Sequence, residues 1–325
     1  MSTQTNGYND TFHSKIMLFG EYSIILGSMG LTIPYAHFNG SLGFINKNRY
    51  TDLDFAKRSN LLLSEYSEYI DKLESKGSLP DNFDNKRMKK DIANGLYFES
   101  TIPEGYGLGS SGALVAALYH KYKTDNQNPR RATTHNQLLK LKKELATLET
   151  WFHGTSSGID PLICYMKHPL LLNNDTSIKP IGIPRYNLTN EDAIFLVNSG
   201  KPGKTAPLVE RFMSQLENSD FKDLMQNQYT PLNNKCIKHL IYGELDQFTE
   251  SLSELSQFQA THFKEMIPPI VEMEWIYGIS TQKYLLKLCG SGGGGFVLGF
   301  TRNYSEVKER FQEKNMEVVP VYRAE

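Results

Sequence analysis

A glycine-rich loop between a strand-like segment and an alanine-rich helix is the feature that most constrains the fold of this chain. The loop, residues 103–112, reads PEGYGLGSSG. Residues 96–102 before it resemble a half-buried strand, and residues 113–118 after it predict a compact helix. A loop with few side chains before a helix start presents unpaired backbone N–H groups at the positive end of the helix dipole. We therefore expect the loop to bind a phosphate group.

Known phosphate motifs limit what kind of loop this is. The P-loop pattern, which ends in Gly-Lys-Ser/Thr, is absent from it. The spacing Gly107-x-Gly109-x-x-Gly112 satisfies the dinucleotide fingerprint, but that fold needs an acidic residue at the end of a second strand about 20 positions further on. Residues 121–131 form a polar segment instead, KYKTDNQNPRR, which excludes the dinucleotide-binding fold. A plain strand-to-helix turn and a different phosphate loop stay open at this point.

Charge and cysteine content exclude several classes of partner. The chain has 35 basic and 36 acidic side chains, so nothing indicates a nucleic-acid or membrane partner. The three cysteines, Cys164, Cys236 and Cys289, lie far apart, which argues against a disulfide or zinc framework. The first ten residues are polar, and no apolar run approaches the roughly 18–20 residues of a membrane span. These features predict a soluble cytoplasmic protein.

The apolar pattern predicts a mixture of strands and helices, and hence an α+β protein in two domains. Strands are expected at 16–19, 31–33, 41–45, 96–102, 193–197, 284–288, 296–300 and 317–321, and the apolar stretch 159–172 also looks β-like. Helices are expected at 55–73, at 136–148 behind a Thr133 or Thr134 cap, in three or four segments between 206 and 277, and at 304–311. The polar segment 187–192 is the best candidate for a domain boundary, and we therefore predict domains over 11–189 and 190–325. The polar residues 1–10 before them are predicted to be a flexible tail.

Charged side chains elsewhere suit phosphoryl transfer, which needs charge neutralisation, a metal and a group that acts on the attacking hydroxyl. Lys15 stands at the head of an apolar strand, where a solvated strand end is the ordinary explanation. Glu149 and Asp160 stand among aromatic and apolar residues, where a carboxylate without partners is costly to bury. One carboxylate could bind Mg²⁺, and the other, near a lysine, could serve a substrate hydroxyl. His153 lies between them, and we predict that it makes a hydrogen bond within a loop and has no catalytic role.

A second glycine run, residues 290–295, lies between two apolar strands. A flexible linker is the ordinary explanation for such a run, but linkers are rare between two apolar strands. Close approach of the backbone to another group is the interpretation we favour.

Taken in order, these segments resemble the GHMP kinases, which include the galacto-, homoserine, mevalonate and phosphomevalonate kinases, and among them most closely the mevalonate kinases. Residues 15–21, 107–111 and 289–295 are similar to the three motifs of that superfamily. The most discriminating segment is Glu149 followed by HGTSSGID at 153–160, because mevalonate kinases have Glu and then His-Gly-Asn-Pro-Ser-Gly-Val/Ile-Asp at the same spacing. Residues 197–205, VNSGKPGKT, resemble a strand and loop that end in an active-site threonine.

The resemblance implies a two-domain GHMP kinase fold, with an N-terminal ribosomal-protein-S5-like domain, a C-terminal ferredoxin-like domain and the active site in the cleft. It implies that ATP and Mg²⁺ are used to phosphorylate the primary hydroxyl of mevalonate to 5-phosphomevalonate, in isoprenoid biosynthesis. Asp160 would be the catalytic base and Lys15 its charged partner, while Ser111 and Glu149 would bind Mg²⁺. The triphosphate would be bound by Gly105, Gly107, Leu108, Gly109, Ser110, Ser111 and Gly112. The acceptor would lie near Glu21, Tyr22, Thr205, Gly292 and Gly293.

Some positions depart from the family pattern and leave alternatives open. Tyr22 stands where the first motif has a histidine that contacts mevalonate, Ser156 replaces a proline, Gly112 replaces an alanine, and residues 13–14 replace Pro-Gly. The tyrosine leaves open a GHMP kinase for another small alcohol or for a phosphorylated alcohol such as phosphomevalonate. A non-catalytic nucleotide-binding sensor is a further alternative, although it would have little use for Lys15, Glu149 and Asp160 together. The expected partners are ATP and a small molecule, without nucleic acid or membrane, and a homodimer stays open.

Overall fold

The computed structural model describes residues 10–47, 52–124, 134–173, 177–184 and 188–323, which form two compact units. The first contains the described residues of Met1–Lys15, Pro34–Pro103 and Gly109–Lys167. The second contains Ile16–Ile33, Glu104–Leu108 and the described residues of His168–Glu325. Each unit is assembled from separate stretches of chain, so the boundary at residue 190 between consecutive domains stays a prediction. The tail predicted over 1–10 lies outside the described residues except for Asp10.

The first unit packs helices on a short antiparallel sheet. Its strands are the first part of β1 (Phe12–Phe19), the last part of β2 (Met29–Phe44) and β3 (Leu96–Ser100), and β3 pairs with β2 from Gly40↔Ser100 to Phe44↔Leu96. Its helices are α1 (Leu53–Ser75), α2 (Asn85–Ala93), α3 (Ser110–Tyr122), α4 (His135–His153) and α5 (Ile159–Met166). Helix α3 lies in the core, since residues 112–119 are all buried, and it packs against α4 and α5. Its alanines allow these neighbours to approach closely.

The second unit is built around an antiparallel sheet. Its elements are the rest of β1 and β2, β4 (Leu170–Asn173), β5 (Ser177–Pro180), β6 (Ala193–Asn198), α6 (Thr205–Gln215), α7 (Ser219–Leu224), α8 (Thr230–Tyr242), α9 (Leu245–His262), α10 (Pro269–Thr281), β7 (Tyr284–Leu288), β8 (Phe296–Thr301), α11 (Tyr304–Glu313) and β9 (Val318–Arg323). Four described strands pair in the order β7-β8-β6-β9. From β6 to β9, the chain follows the β-α-β-β-α-β plan of a ferredoxin-like domain, with several helices between β6 and β7.

The α+β prediction is confirmed, and so are most of the individual elements. Thr134 caps α4 in a reciprocal arrangement, because its hydroxyl accepts from the Gln137 N–H and the Gln137 side chain accepts from the Thr134 N–H. Between residues 205 and 281, all of which are described, there are five α-helices rather than three or four, and a π-helical turn (Met225–Tyr229) joins α7 to α8. No helix in the described part of the chain is both long enough and apolar enough to cross a membrane.

Two predictions of strands need correction. Residues 31–33 and 41–44 are extended as predicted, but they belong to one strand, β2, which continues through Pro34 and Gly40. Ile45 lies outside it and begins a 3-10 turn. The β-like segment 159–172 is helical over its first half, as α5, and only 170–173 form a strand. Helix α5 is buried at every residue except Asp160, so its apolar side chains carry no amphipathic period from which a helix could be recognised.

The turn between α4 and α5 contains two glycines that have the same backbone angle and different surroundings. Gly154 and Gly158 both have φ of 73°. A Cβ atom on Gly154 would meet nothing within 4 Å. A Cβ atom on Gly158 would lie 2.2 Å from the carbonyl oxygen of Lys142 and 2.9 Å from Cβ of Ala146, both in α4. The missing side chain at Gly158 therefore lets α5 begin directly against α4, two residues before Asp160.

We expect Gly154→Ala to lower the free energy of unfolding by about 1–2 kcal/mol, the usual cost of a left-handed L-residue. Gly158→Ala should lower it by about 2–5 kcal/mol, because overpacking against α4 adds roughly 1–3 kcal/mol to the same backbone cost. Urea unfolding followed by circular dichroism measures both variants, and Gly154→Ala is the matched control. Equal losses would contradict the tight contact between α5 and α4.

Candidate active site

An ion pair between Lys15 and Asp160 lies in the first unit, where α3 and α5 begin. The Nζ atom of Lys15 is 3.0 Å from Oδ2 of Asp160, and the two side chains are 8% and 33% exposed. Gly109 precedes α3 and fits against both residues, since a Cβ atom there would lie 2.8 Å from Cγ of Lys15 and 3.6 Å from Oδ2 of Asp160. Asp160 is also in the first turn of α5, where the helix dipole stabilises a negative charge. A carboxylate that solvent can reach is thus held by a buried ammonium group.

The start of α3 is packed against the start of α5 without room for side chains. A Cβ atom on Gly112 would lie 2.8 Å from the carbonyl carbon of Asp160 and 2.9 Å from the nitrogen of Pro161. This contact explains why glycine occupies position 112, where the similar motif has an alanine. Gly109 has φ of 75°, and no side chain caps the first turn of α3. The N–H groups of that turn, at Ser110, Ser111 and Gly112, can therefore bind an anion.

Glu149, in α4, is 4% exposed, and hydroxyl groups contact both of its carboxylate oxygens. The Ser111 hydroxyl donates to Oε1 at 3.1 Å, and the Ser156 hydroxyl donates to Oε2 at 2.5 Å. Burial, and after it the negative charge of Asp160, raise the pKa of Glu149 to about 7 against the opposing effects of the two hydroxyl groups and Lys15. The two carboxylates therefore stand in different surroundings, one bonded to hydroxyl groups and one paired with an ammonium group.

His153 and Ser156 belong to this site, although the sequence predicted a catalytic or binding role for neither of them. The Nε2 atom of His153 is 3.0 Å from the Ser111 hydroxyl oxygen. Ser156 contacts Glu149 and also accepts a hydrogen bond from the Gly158 N–H at 2.9 Å, which fixes the turn before α5. The helix predicted over 136–148 ends before Glu149, whereas α4 continues to His153. Only with that extension would the i, i+4 spacing of Glu149 and His153 have identified the histidine.

The oxygen atoms of Ser111 and Glu149 suit a magnesium ion that arrives with a nucleotide. They lie 3.1 Å apart, and Mg²⁺ in proteins is typically bound by one or two carboxylates together with phosphate oxygens and waters. Across the described residues, no group of three or more His, Cys, Asp or Glu side chains is placed to hold a metal ion. The donor set of one carboxylate and one hydroxyl oxygen fits a Mg²⁺ ion that is also bound by phosphate oxygens and waters.

Glu21 and Tyr22, predicted to lie near the acceptor, are both buried in the second unit. Oε1 of Glu21 is 2.7 Å from Nζ of Lys287, and the two side chains are 1% and 0% exposed. Burial raises the pKa of Glu21, and Lys287 opposes the rise. Tyr22 has an unusual φ of 61° and donates a hydrogen bond of 2.6 Å to the carbonyl oxygen of Ser291, and its ring centroid is 4.6 Å from that of Phe212. Both side chains are therefore engaged with other parts of this unit.

Several glycines of the two predicted glycine runs lie in the second unit, and they pack closely against its backbone. The N–H of Gly203 donates to the carbonyl oxygen of Gly105 at 2.8 Å, and a Cβ atom on Gly107 would lie 3.1 Å from the carbonyl oxygen of Cys289. The N–H of Gly293 donates to Met266 at 2.6 Å. Three other predicted residues lie in this unit. Leu108 is buried, and a Cβ atom on Gly292 would lie 2.2 Å from the carbonyl oxygen of Met266. Thr205 begins α6, and its side chain lies outside the described structure.

The predicted site residues thus fall into two sets. The first unit brings together Lys15, Gly109, Ser110, Ser111, Gly112, Glu149 and Asp160. The second unit contains Glu21, Tyr22, Gly105, Gly107, Leu108, Thr205, Gly292 and Gly293. The roles given to the individual residues stay predictions.

Residues 84–168 match the family model described as the GHMP kinases N terminal domain. This chain carries a GHMP kinase N-terminal domain. The matched segment includes α3, Glu149 and Asp160, and so most of the first set of predicted site residues. A search of the curated proteins found no match.

Solved structures of three different kinases have the same fold. L. major mevalonate kinase in complex with R-mevalonate is 18% identical, with a TM-score of 0.61 over 95% of this chain and 91% of that one. Streptococcus pneumoniae phosphomevalonate kinase is 14% identical, with a TM-score of 0.59 over 97% and 98%. Lactococcus lactis galactokinase complexed with galactose is 13% identical, with a TM-score of 0.63 over 98% and 94%. The predicted GHMP kinase fold is confirmed, and the acceptor is not distinguished at these identities.

We expect the stability of this protein to depend on pH through Glu149. Its raised pKa means that the folded protein binds more protons than the unfolded chain between about pH 4.5 and 7, so stability falls as pH rises through that range. In metal-free buffer, Glu149→Gln should match the parent at pH 5 and exceed its free energy of unfolding by about 2 kcal/mol at pH 8. Denaturation in EDTA at several pH values measures this difference, with Glu68→Gln, at an exposed position of α1, as the control. A difference that does not vary with pH would contradict the assignment.

Proposed function

We propose that the protein transfers the γ-phosphoryl group of ATP to an alcohol, and that the alcohol is the primary hydroxyl of mevalonate. The observation that carries the proposal is the Lys15–Asp160 ion pair of 3.0 Å beside the start of α3. A partly exposed carboxylate held by a buried ammonium group is suited to receive a proton from a substrate hydroxyl. The segment from Glu149 to Asp160, with its resemblance to mevalonate kinases, supports mevalonate as the acceptor. The product would be 5-phosphomevalonate, for isoprenoid biosynthesis in the cytoplasm.

Each residue of the first set has a role in this reaction. A carboxylate oxygen of Asp160 takes the hydroxyl proton as the acceptor oxygen bonds to the γ-phosphorus, while the bond to the bridging oxygen breaks and ADP leaves. Lys15 keeps its proton and stabilises the carboxylate before the transfer. N–H groups in the first turn of α3 offset negative charge on the phosphates. Ser111 and Glu149 would bind Mg²⁺, which when present neutralises charge on the phosphate oxygens.

Another acceptor is the second candidate, and one observation favours it. Tyr22 occupies the position at which the similar motif has a histidine, and its hydroxyl is bonded to Ser291 while its ring packs on Phe212. A hydrogen bond from this position to mevalonate is therefore not supported. A different small alcohol, or a phosphorylated one such as phosphomevalonate, would be bound without that contact.

An ADP-release assay with mevalonate, phosphomevalonate, homoserine and galactose identifies the acceptor. We expect mevalonate to give the highest kcat/KM, and ATP without acceptor gives the background rate. Turnover of a different acceptor alone would refute mevalonate and leave the kinase assignment in place. Binding of an ATP analogue without turnover of any acceptor would instead favour the nucleotide-binding sensor.

Removing the charge of Asp160 tests the catalytic base. Asp160→Asn should lower kcat by about 10²–10⁴, the usual contribution of a positioned general base. The affinity for a non-hydrolysable ATP analogue should change little, because the base acts on the acceptor hydroxyl. Asp220→Asn, at another acidic residue in the first turn of a helix, is the matched control. A kcat for Asp160→Asn near that of the parent would rule out this assignment.

A further inference from the structure

The hydroxyl group of Ser111 has two hydrogen-bond neighbours in the first unit. Its oxygen is 3.1 Å from Oε1 of Glu149 and 3.0 Å from Nε2 of His153, and no third neighbour is found among the described residues. A serine hydroxyl has one proton to donate and two lone pairs, whereas an ionised carboxylate can only accept. The Ser111 proton can therefore point to Glu149 or to His153, and not to both.

We propose that His153 is a positioning residue for magnesium, and that its Nε2 accepts the Ser111 proton when the ion is bound. The inference rests on the proposed function, in which Ser111 and Glu149 bind Mg²⁺. A hydroxyl group that binds a metal through oxygen keeps its proton, and that proton needs an acceptor. If it stayed on Oε1 of Glu149, it would occupy a lone pair of the carboxylate oxygen that faces the ion. His153 provides the alternative acceptor, which leaves both oxygens to the metal.

The local structure supports this role. His153 follows Glu149 by four residues in α4, so both side chains lie on the same face of one helix. The Ser156 hydroxyl contacts the other oxygen of Glu149, Oε2, and so holds the carboxylate with Oε1 towards Ser111. A group that accepts the proton of a metal ligand, as His153 would for Ser111, orients that ligand and increases its basicity. Loss of such a partner typically reduces metal affinity by about 10–100-fold.

The test compares two substitutions that differ in whether they can accept a hydrogen bond. His153→Gln keeps an acceptor oxygen at a similar reach, and His153→Phe keeps the ring without a nitrogen. Titration calorimetry at pH 8 measures binding of a non-hydrolysable ATP analogue as Mg²⁺ is varied. We expect His153→Phe to raise the Mg²⁺ concentration at half-saturation by about 10-fold or more, and His153→Gln to stay within about 3-fold of the parent. Analogue binding in EDTA should be the same in all variants.

Two further measurements separate hydrogen bonding from packing. In a Ser111→Ala background, His153→Phe should cause no additional loss, because the proton that His153 accepts is gone. Nitrogen-15 NMR of the Mg²⁺-analogue complex should show His153 protonated at Nδ1 and unprotonated at Nε2. His135→Phe, at an exposed position in the first turn of the same helix, is the control and should bind Mg²⁺ as the parent does.

Several outcomes would overturn the inference. One is the same Mg²⁺ dependence of analogue binding in the parent and in His153→Phe, and another is an equal loss of Mg²⁺ affinity in the Gln and Phe variants. A further loss of Mg²⁺ affinity from His153→Phe in the Ser111→Ala background, or a protonated Nε2 in the complex, would also contradict it. A parent protein that binds the analogue without any dependence on Mg²⁺ would instead overturn the magnesium-dependent reaction proposed above.

Discussion

The close contact between the starts of α3 and α5 is the constraint on which the candidate site depends. A Cβ atom on Gly112 would lie 2.8 Å from the carbonyl carbon of Asp160, so α3 and α5 approach each other without room for a side chain. Two further glycines are equally confined, Gly109 against Lys15 and Gly158 against α4. This contact brings two positive helix ends together and places Asp160 beside Lys15. The glycines are therefore as important to the chemistry as the charged residues, although none of them carries a reactive group.

Two carboxylates close to each other acquire different properties from their surroundings. Glu149 is buried and accepts hydrogen bonds from two hydroxyl groups, and its pKa is raised to about 7. Asp160 is partly exposed and is paired with an ammonium group. Differences of this kind separate the roles of paired acids in active sites. In the proposed reaction, Glu149 would lose its proton to bind Mg²⁺, and Asp160 would have to be reachable by the acceptor. The two environments suit these separate proposed roles.

The second unit uses buried polar contacts to fix backbone rather than to present side chains. The side chain of Gln259 connects the Leu288 N–H to the Tyr229 hydroxyl, and that hydroxyl donates to the carbonyl oxygen of Glu21. With the Glu21–Lys287 pair, these bonds tie the segment after β1 to the end of β7. A buried ion pair is weak evidence for stability, because the cost of desolvating the two charges offsets much of their attraction. Its clear effect here is to fix the backbone next to Tyr22, which has a strained angle.

The sequence by itself determined the glycine loop, the caps and helices with a clear period, and the identity of the charged residues, because these are local patterns. It also predicted the pairing of Lys15 with Asp160, but only through resemblance to a family. Tertiary structure alone decided that 159–166 is a helix, since a segment buried on nearly all sides has no period to recognise. It also decided the partners of Ser111, which lie 38 and 42 residues away, and of Glu21, 266 residues away. Such contacts depend on how the whole chain packs, and no local pattern encodes them.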